Sequence, residues 1–412
     1  MQPKCLRCKG RGFCGRIVCP MVAKASALFR ISEQIKLKEN FSGDAPAPFV
    51  GRIGYPFVNV GVLALQEQRD DAWLFDAPRY WAMKSYSIDQ IMVYRSSLVN
   101  SRTNLHVGSV KSDKSRLVEL EQEIALAEKP VDVEVWLKKR PVFRLNFNAV
   151  EMPSGPVAYL KKAKLIENPL IPRKIEKAYA DYNLKAEEAV FHLYESGFDE
   201  NKLAKALSVG CFGVKTQRKL VPTRWSITAV DDIISKRLIK IVKDFNFQDY
   251  ALFFDGYLGN YYMILFFPSI WRYELFEIYA PKVSWNQSNQ LQYTTDYEGN
   301  FGRKTYAENC AGGYYTVRLA ILEKLRSMKR QASVLALRFI TGEYYVPLGV
   351  WVTREAARKS LQGKGVCFSS MELMLKYASD FAQKKFGIDL NKIFEQSKLL
   401  RELKEQKKIA DF

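Results

Sequence analysis

The sequence predicts an α+β protein, with helices and β-sheets mixed through two regions, and three observations carry that expectation. Residues 131–137 alternate apolar and polar side chains with the two-residue period of a half-buried strand. Residues 389–408 instead set apolar residues, among them Leu390, Ile393, Phe394, Leu399, Leu400 and Leu403, at helical spacing. A hydrophobic content of 48% in 412 residues supplies a large core and suggests two or three domains.

Taken in order, the spacing predicts a short helix over 22–39, followed by a stretch broken by Gly43, Pro46 and Pro48. From Phe49 the run Phe-Val-Gly-Arg-Ile-Gly-Tyr-Pro-Phe-Val-Asn-Val reads as strands interrupted by Gly and Pro turns. Residues 131–137 and 143–147 give two further strands. The Pro- and Gly-punctuated stretch 151–172 is the expected linker. Beyond it come helices over 174–197, 199–209 and 233–244, aromatic strands over 250–267 and 271–280, then helices over 313–328, 369–386 and the tail. The expected division is a cysteine knuckle over 1–20, an N-terminal α+β domain over 21–160, a C-terminal α+β domain over 161–388, and a helix with a docking tail over 389–412. The sequence contains no internal repeat.

Charge narrows the partners. Sixty-three Lys and Arg face 44 Asp and Glu, a net charge of +19, so the surface potential attracts polyanions, with nucleic acid foremost. The amino terminus lacks the apolar core of a signal peptide. The longest uncharged stretch, 256–271, is interrupted by Gly259, Asn260 and Pro268. A cytoplasmic, nucleoid-associated protein is the expectation.

Four of the seven cysteines fall in the first nineteen residues, as Cys5, Cys8, Cys14 and Cys19, within a segment otherwise rich in Lys, Arg and Gly. A segment so poor in apolar residues needs something to organise it, and four thiolates at short spacings suit a structural Zn²⁺. Two disulfides or an Fe–S cluster are the alternatives. A reducing compartment disfavours the first, and nothing else in the chain suggests electron transfer. Cys211, Cys310 and Cys367 stand alone and read as buried thiols. With only His106 and His192 in the chain, a multi-histidine metal site is excluded; His192, in an apolar helical run, is expected to pack.

Two segments concentrate groups suited to phosphate. The block 218–232 holds Arg218, Lys219 and Arg224 beside Trp225 and several hydroxyls, combining charge for phosphate with a flat ring for a base. Its Asp231-Asp232 pair can hold a metal but reads more simply as the cap of the helix over 233–244. The segment 94–108 carries Arg95, Arg102 and His106 among hydroxyls and ends in Gly108. The two clusters are expected to converge on one phosphate-accepting pocket across the two regions. No P-loop, dinucleotide fingerprint or deaminase signature is present, so whether the protein is an enzyme stays open.

The last seven residues, Gln406-Lys-Lys-Ile-Ala-Asp-Phe412, resemble the PCNA-interacting peptide by which repair proteins dock on the sliding clamp. One turn places Ile409 and Phe412 on one side as a two-pronged apolar plug, with the Gln406 amide to orient it. The four-cysteine segment, the Phe49-Val-Gly-Arg-Ile-Gly-Tyr-Pro string, the 218–232 block and this tail together resemble the archaeal Nre (NreA/NreB) DNA-repair family. That resemblance spans the chain, with N- and C-terminal family regions expected to meet near 151–172. It implies DNA repair in partnership with the clamp, though it does not imply a reaction. A single terminal aromatic, Phe412, departs from the usual pair and points to a weaker clamp grip. The main reading is a DNA-binding repair factor recruited by the clamp. A nucleotide- or DNA-modifying enzyme and an RNA- or ribosome-associated zinc protein are the alternatives.

Overall fold

A computed structural model describes residues 8, 11–13, 18–34, 36–111, 115–143, 152 and 154–405. The chain divides into two compact units, one carried mainly by Cys19–Ile234 and the other by Ser235–Tyr345 with the residues from Val350 onward.

In the first unit, the helix Pro20–Gln34 precedes strands β1 (Asn40–Ala45), β2 (Ala47–Val50), β3 (Phe57–Ala64), β4 (Val99–His106), β5 (Val131–Leu137) and β6 (Val157–Leu165). They form one mixed sheet in the order β1-β5-β6-β4-β3-β2, parallel only between β4 and β6. The alternation in β5 is realised directly: Val131, Val133, Val135 and Leu137 point inward while Asp132, Glu134 and Trp136 are more exposed. Helix Arg116–Leu126 presents Leu120 and Ile124, one turn apart, to that apolar face. Each such aliphatic side chain contributes about 1.5–3 kcal/mol on full burial. Helix Ile88–Ser97 starts at a capping box, with Gln90 N–H donating to Ser87 Oγ (3.3 Å) and Ser87 N–H donating to Gln90 Oε1 (2.9 Å).

Helices Arg173–Ala180, Ala186–Glu195, Glu200–Ser208 and Thr223–Val242 follow. The helix expected over 174–197 is two, because the Asp181 carboxylate accepts from Asn183 and Leu184 N–H and turns the chain between them. The expected linker over 151–172 instead contains β6, an interior strand. Gly155, Pro156, Pro169 and Pro172 lie outside the strand. The compact units part between Ile234 and Ser235, inside the helix Thr223–Val242, rather than near 160. That helix also overturns the reading of Asp231 and Asp232 as a cap, since both lie well inside it and Asp231 is buried. The expected strand over 143–147 falls mostly outside the described residues.

In the second unit, β7 (Ala251–Tyr257), β8 (Asn260–Phe267), β9 (Arg272–Tyr279), β10 (Gln292–Glu298), β11 (Ser333–Ile340) and β12 (Val366–Cys367) form a second mixed sheet, in the order β10-β9-β11-β8-β7-β12. Only the β9–β11 pair is parallel. The β7–β8 turn at Leu258-Gly259 has positive φ at both positions, the geometry a two-residue hairpin prefers. A Cβ on Gly259 would stand 2.5 Å from the Tyr344 nitrogen. Every residue of β11 is buried, as expected of a central strand covered on both faces. Helices Met371–Phe386, Asn391–Gln396 and Lys398–Glu405 supply Met374, Ala378, Ile393, Leu399 and Leu400 to one side of that core. Helix Trp351–Gln362 packs on β7 and β8 and on helix Ala311–Met328.

The last described helix is fastened at both ends. The Glu274 carboxylate, on β9 and buried, accepts from Ser397 Oγ and from the backbone N–H groups of Lys398 and Leu399 at 3.0 Å each. Farther along, Glu402 accepts from the Tyr297 hydroxyl and pairs with Arg272 at 3.5 Å. A carboxylate at a helix start satisfies free N–H groups and complements the helix dipole.

Candidate nucleic-acid interface

Three segments remote in sequence meet at one end of the first sheet. The β2–β3 connection is a hairpin tip, closed by Gly51 N–H to the Asn59 carbonyl (2.7 Å) and Phe57 N–H to the Gly54 carbonyl (2.9 Å). Gly54 adopts φ +87°, and a Cβ there would lie 2.7 Å from the Phe57 oxygen, so the tip requires glycine. The end of β4 joins this tip through Val107 N–H to the Pro56 carbonyl (2.9 Å), and Phe57 sits opposite His106 in the β3–β4 ladder. The basic block then closes on both. Leu220 N–H donates to the Val107 carbonyl (2.8 Å), and Val50 N–H donates to Thr223 Oγ1 (3.1 Å).

The result is an exposed cluster of rings. Tyr55 and Trp225 lie 5.3 Å apart at an interplanar angle of 53°, and Phe57 and His106 lie 5.1 Å apart at 63°. Tyr55, Phe57 and Trp225 retain 46%, 56% and 44% of their surface, and Ile53 at the tip retains 72%. Arg52, Lys219 and Arg224 are exposed within the same segments. Residues 45–66, 90–112 and 201–230, which supply this surface, contain no Asp or Glu, although the whole chain holds 44. The patch therefore combines apolar rings with uncompensated positive charge, a pairing suited to a polyanion that carries flat groups.

The sequence-selected residues divide into two sets. His106, Lys219, Arg224 and Trp225 reach the patch. Arg102 is half-buried beneath it, its guanidinium 5.4 Å from the Phe49 ring and its Nε donating to Asn100 Oδ1 (3.1 Å). Arg95 is turned inward and paired with Asp76, which also holds Lys205 Nζ at 3.1 Å. Although burial works against ionisation of Asp76, Lys205 and Arg95 hold its carboxyl below the ordinary carboxylate value. Arg218 is buried as well, donating to the Gly213 carbonyl (2.7 Å) and the Asp181 carbonyl (3.1 Å), with its guanidinium over Tyr182 at 4.9 Å. A phosphate pocket that includes Arg95 and Arg218 is thus not formed. The segments that do meet belong to one compact unit rather than to two.

Other expectations fare unevenly. Cys211 and Cys310 are buried, but Cys367 is exposed on the edge strand β12, and His192 faces solvent from its helix. Cys8 is buried and Cys19 half-buried; Cys5 and Cys14 lie outside the described residues, as do Gln406, Ile409 and Phe412. Among the described residues no group of three or more His, Cys, Asp or Glu could hold a metal. Nor is any described helix long and apolar enough to cross a membrane. Sequence reasoning missed Tyr55, Phe57 and the tip that presents them. The available signal was three large apolar residues crowded around Gly54 and Pro56, where a turn leaves little room to bury them.

Glu121 also went unnoticed. It is fully buried in helix Arg116–Leu126, with no hydrogen-bond partner for either carboxylate oxygen within ordinary geometry among the described residues. Burial pushes its pKa well above the ordinary 4.5, and the Phe49 backbone offsets only part of that.

Comparison with known proteins fits these observations into a family. The model described as "Archaeal Nre, N-terminal" matches residues 13–286, and "Archaeal Nre, C-terminal" matches 298–412. The family regions therefore meet near 290, not near the 151–172 stretch. The chain is 36% identical over 401 residues to DNA repair protein NreB of Archaeoglobus fulgidus, covering 96% of this chain and 97% of the relative. It is 37% identical over 384 residues to DNA repair protein NreA of the same organism, covering 93% and 94%. To DNA repair protein NreA of Haloferax volcanii it is 36% identical over 340 residues, covering 81% of each. No solved structure matches the chain. With both family regions present in order and relatives aligned along nearly the full length, the chain belongs to the archaeal Nre family.

Proposed function

We propose that this protein is a DNA-repair factor that binds DNA through the Tyr55–Trp225 surface and is recruited to its substrate by the sliding clamp. The observation that carries the DNA-binding half is the acid-free meeting of three segments that leaves Arg52, Lys219 and Arg224 exposed around solvent-facing rings. The relatives' names, DNA repair proteins NreA and NreB, supply the process. Recruitment rests on the terminal string Gln406, Ile409 and Phe412. Zinc on Cys5, Cys8, Cys14 and Cys19 rests on their spacing, and the metal's part would be to fold the segment around them.

One experiment tests both halves in the full-length protein. Lys219→Ala with Arg224→Ala should weaken DNA binding by roughly tenfold in an anisotropy titration at low salt, without shifting the melting temperature, because exposed phosphate contacts add affinity and little stability. A chain ending at Glu405 should keep its DNA affinity and lose capture by immobilised clamp. Unchanged DNA binding by the double variant overturns the assignment of this surface. Unchanged clamp capture by the shortened chain overturns the tail's role.

A further inference from the structure

We infer that the Tyr55–Trp225 surface takes single-stranded DNA, stacking unpaired bases on its rings; this rests on the DNA-binding reading above and makes its substrate specific. A duplex offers a surface of phosphates with its bases stacked inside, and for such a partner charge alone suffices. This surface carries more than charge. Tyr55, Phe57 and Trp225 keep between 44% and 56% of their area in water. They are not thrown there by a slack loop: the tip is closed by two backbone hydrogen bonds and a glycine at positive φ, and Trp225 stands in the first turn of a twenty-residue helix.

Ring geometry supports the same partner. The Tyr55–Trp225 and Phe57–His106 pairs are inclined at 53° and 63°, so neither pair closes face to face and each leaves ring surface for a flat group. Arg52 and Arg224 flank the rings in sequence, supplying charge for the sugar–phosphate backbone that links successive bases. An apolar protein partner is the rival occupant. The absence of any Asp or Glu in the three contributing segments favours the polyanion.

The test is an anisotropy titration of the full-length protein with three labelled probes: a 20-nucleotide single strand, its duplex, and a single strand whose central nucleotides lack bases. The intact strand should bind roughly tenfold or more tightly than the other two, since each base–ring stack is lost with the base or with pairing. Trp225→Ala should cost the intact strand about tenfold and bring its affinity close to that of the base-free strand, while Trp225→Phe restores most of the loss. Phe57→Ala, read in parallel against the melting temperature, replaces Trp225→Ala should the latter unfold. Equal binding of the intact and base-free strands, or duplex binding as tight as single-strand binding, overturns stacking while leaving DNA binding intact. Failure of all three probes to bind overturns the DNA-binding reading itself. Retention of a protein partner that depends on Trp225, with no discrimination among the DNAs, assigns the rings to the rival.

Discussion

Arg218 and Arg224 lie six residues apart in one basic block, and their surroundings give them opposite tasks. Arg218 is enclosed by two carbonyl acceptors and the faces of Tyr179 and Tyr182, and its burial works against its charged form. Arg224 is exposed in the first turn of its helix. Arg218→Ala should therefore cost about 2–4 kcal/mol in chemical denaturation, removing the donor to the buried Gly213 carbonyl and the guanidinium packed on the two rings. Arg224→Ala should change stability by less than about 0.5 kcal/mol, as is usual for surface positions. Residue type announced both; only the depth of each side chain separates them, and depth depends on partners such as Gly213 and Asp181 that no local pattern identifies. Glu121 makes the same point with pH. Its folded pKa is raised, so it leaves stability untouched below the ordinary 4.5 and subtracts from it as pH climbs through the folded value. Glu121→Gln should accordingly raise the melting temperature at pH 8 and leave it nearly unchanged at pH 4.5, with a gain of about 1–3 kcal/mol at the higher pH. An equal effect at both pH values would mean the carboxyl is not the destabilising group.

Elements with a strong period were legible and those defined by distant pairing were not. The alternation of β5 and the helical repeat of Met371–Phe386 declare themselves because each element's own side chains decide its buried face, while Ala311–Met328, buried throughout from Gly313 to Leu322, is legible from the length of its apolar run. β6 escaped because its sequence, Val-Ala-Tyr-Leu-Lys-Lys-Ala-Lys-Leu, is one-third lysine and its place is set by β4 and β5 on either side. The acids Asp231 and Asp232 suggested a helix start because carboxylates favour that position, but Thr223 already begins the helix eight residues earlier. At the last described helix the deciding residue is remote in sequence. Glu274→Ala should remove three donors' acceptor at once, costing roughly 2–4 kcal/mol and raising amide exchange over 398–405 far more than over 311–328. Uniform exchange across both helices would show that Leu399 and Leu400 alone hold the segment.

For the whole molecule, a net charge of +19 distributed with acid-free segments around one patch would make the proposed affinity for DNA an ionic-strength effect. Between about 50 and 200 mM salt the affinity for any DNA should fall by orders of magnitude, with a log–log slope that becomes shallower by roughly one for each exposed Arg or Lys removed from the patch. A slope unaffected by Arg52→Ala, Lys219→Ala and Arg224→Ala together would place the phosphate contacts elsewhere. The approach of 106–107 to 219–225 was expected from the chemistry of the two segments, whereas the joining of the 50–57 tip to them was invisible in the sequence because it depends on sheet order.

The fastening of Lys398–Glu405 to β9 sets a leash. A tail of seven residues reaches at most about 25 Å when fully drawn out, and here it is rooted in a helix whose start is gripped by Glu274. A clamp that holds Phe412 would keep the second unit tethered within that radius, at an effective concentration in the millimolar range. On the proposed docking, loosening the root would lengthen the leash without touching the peptide: Glu274→Ala should leave clamp binding by Gln406–Phe412 unchanged while lowering the effective concentration it gives the second unit.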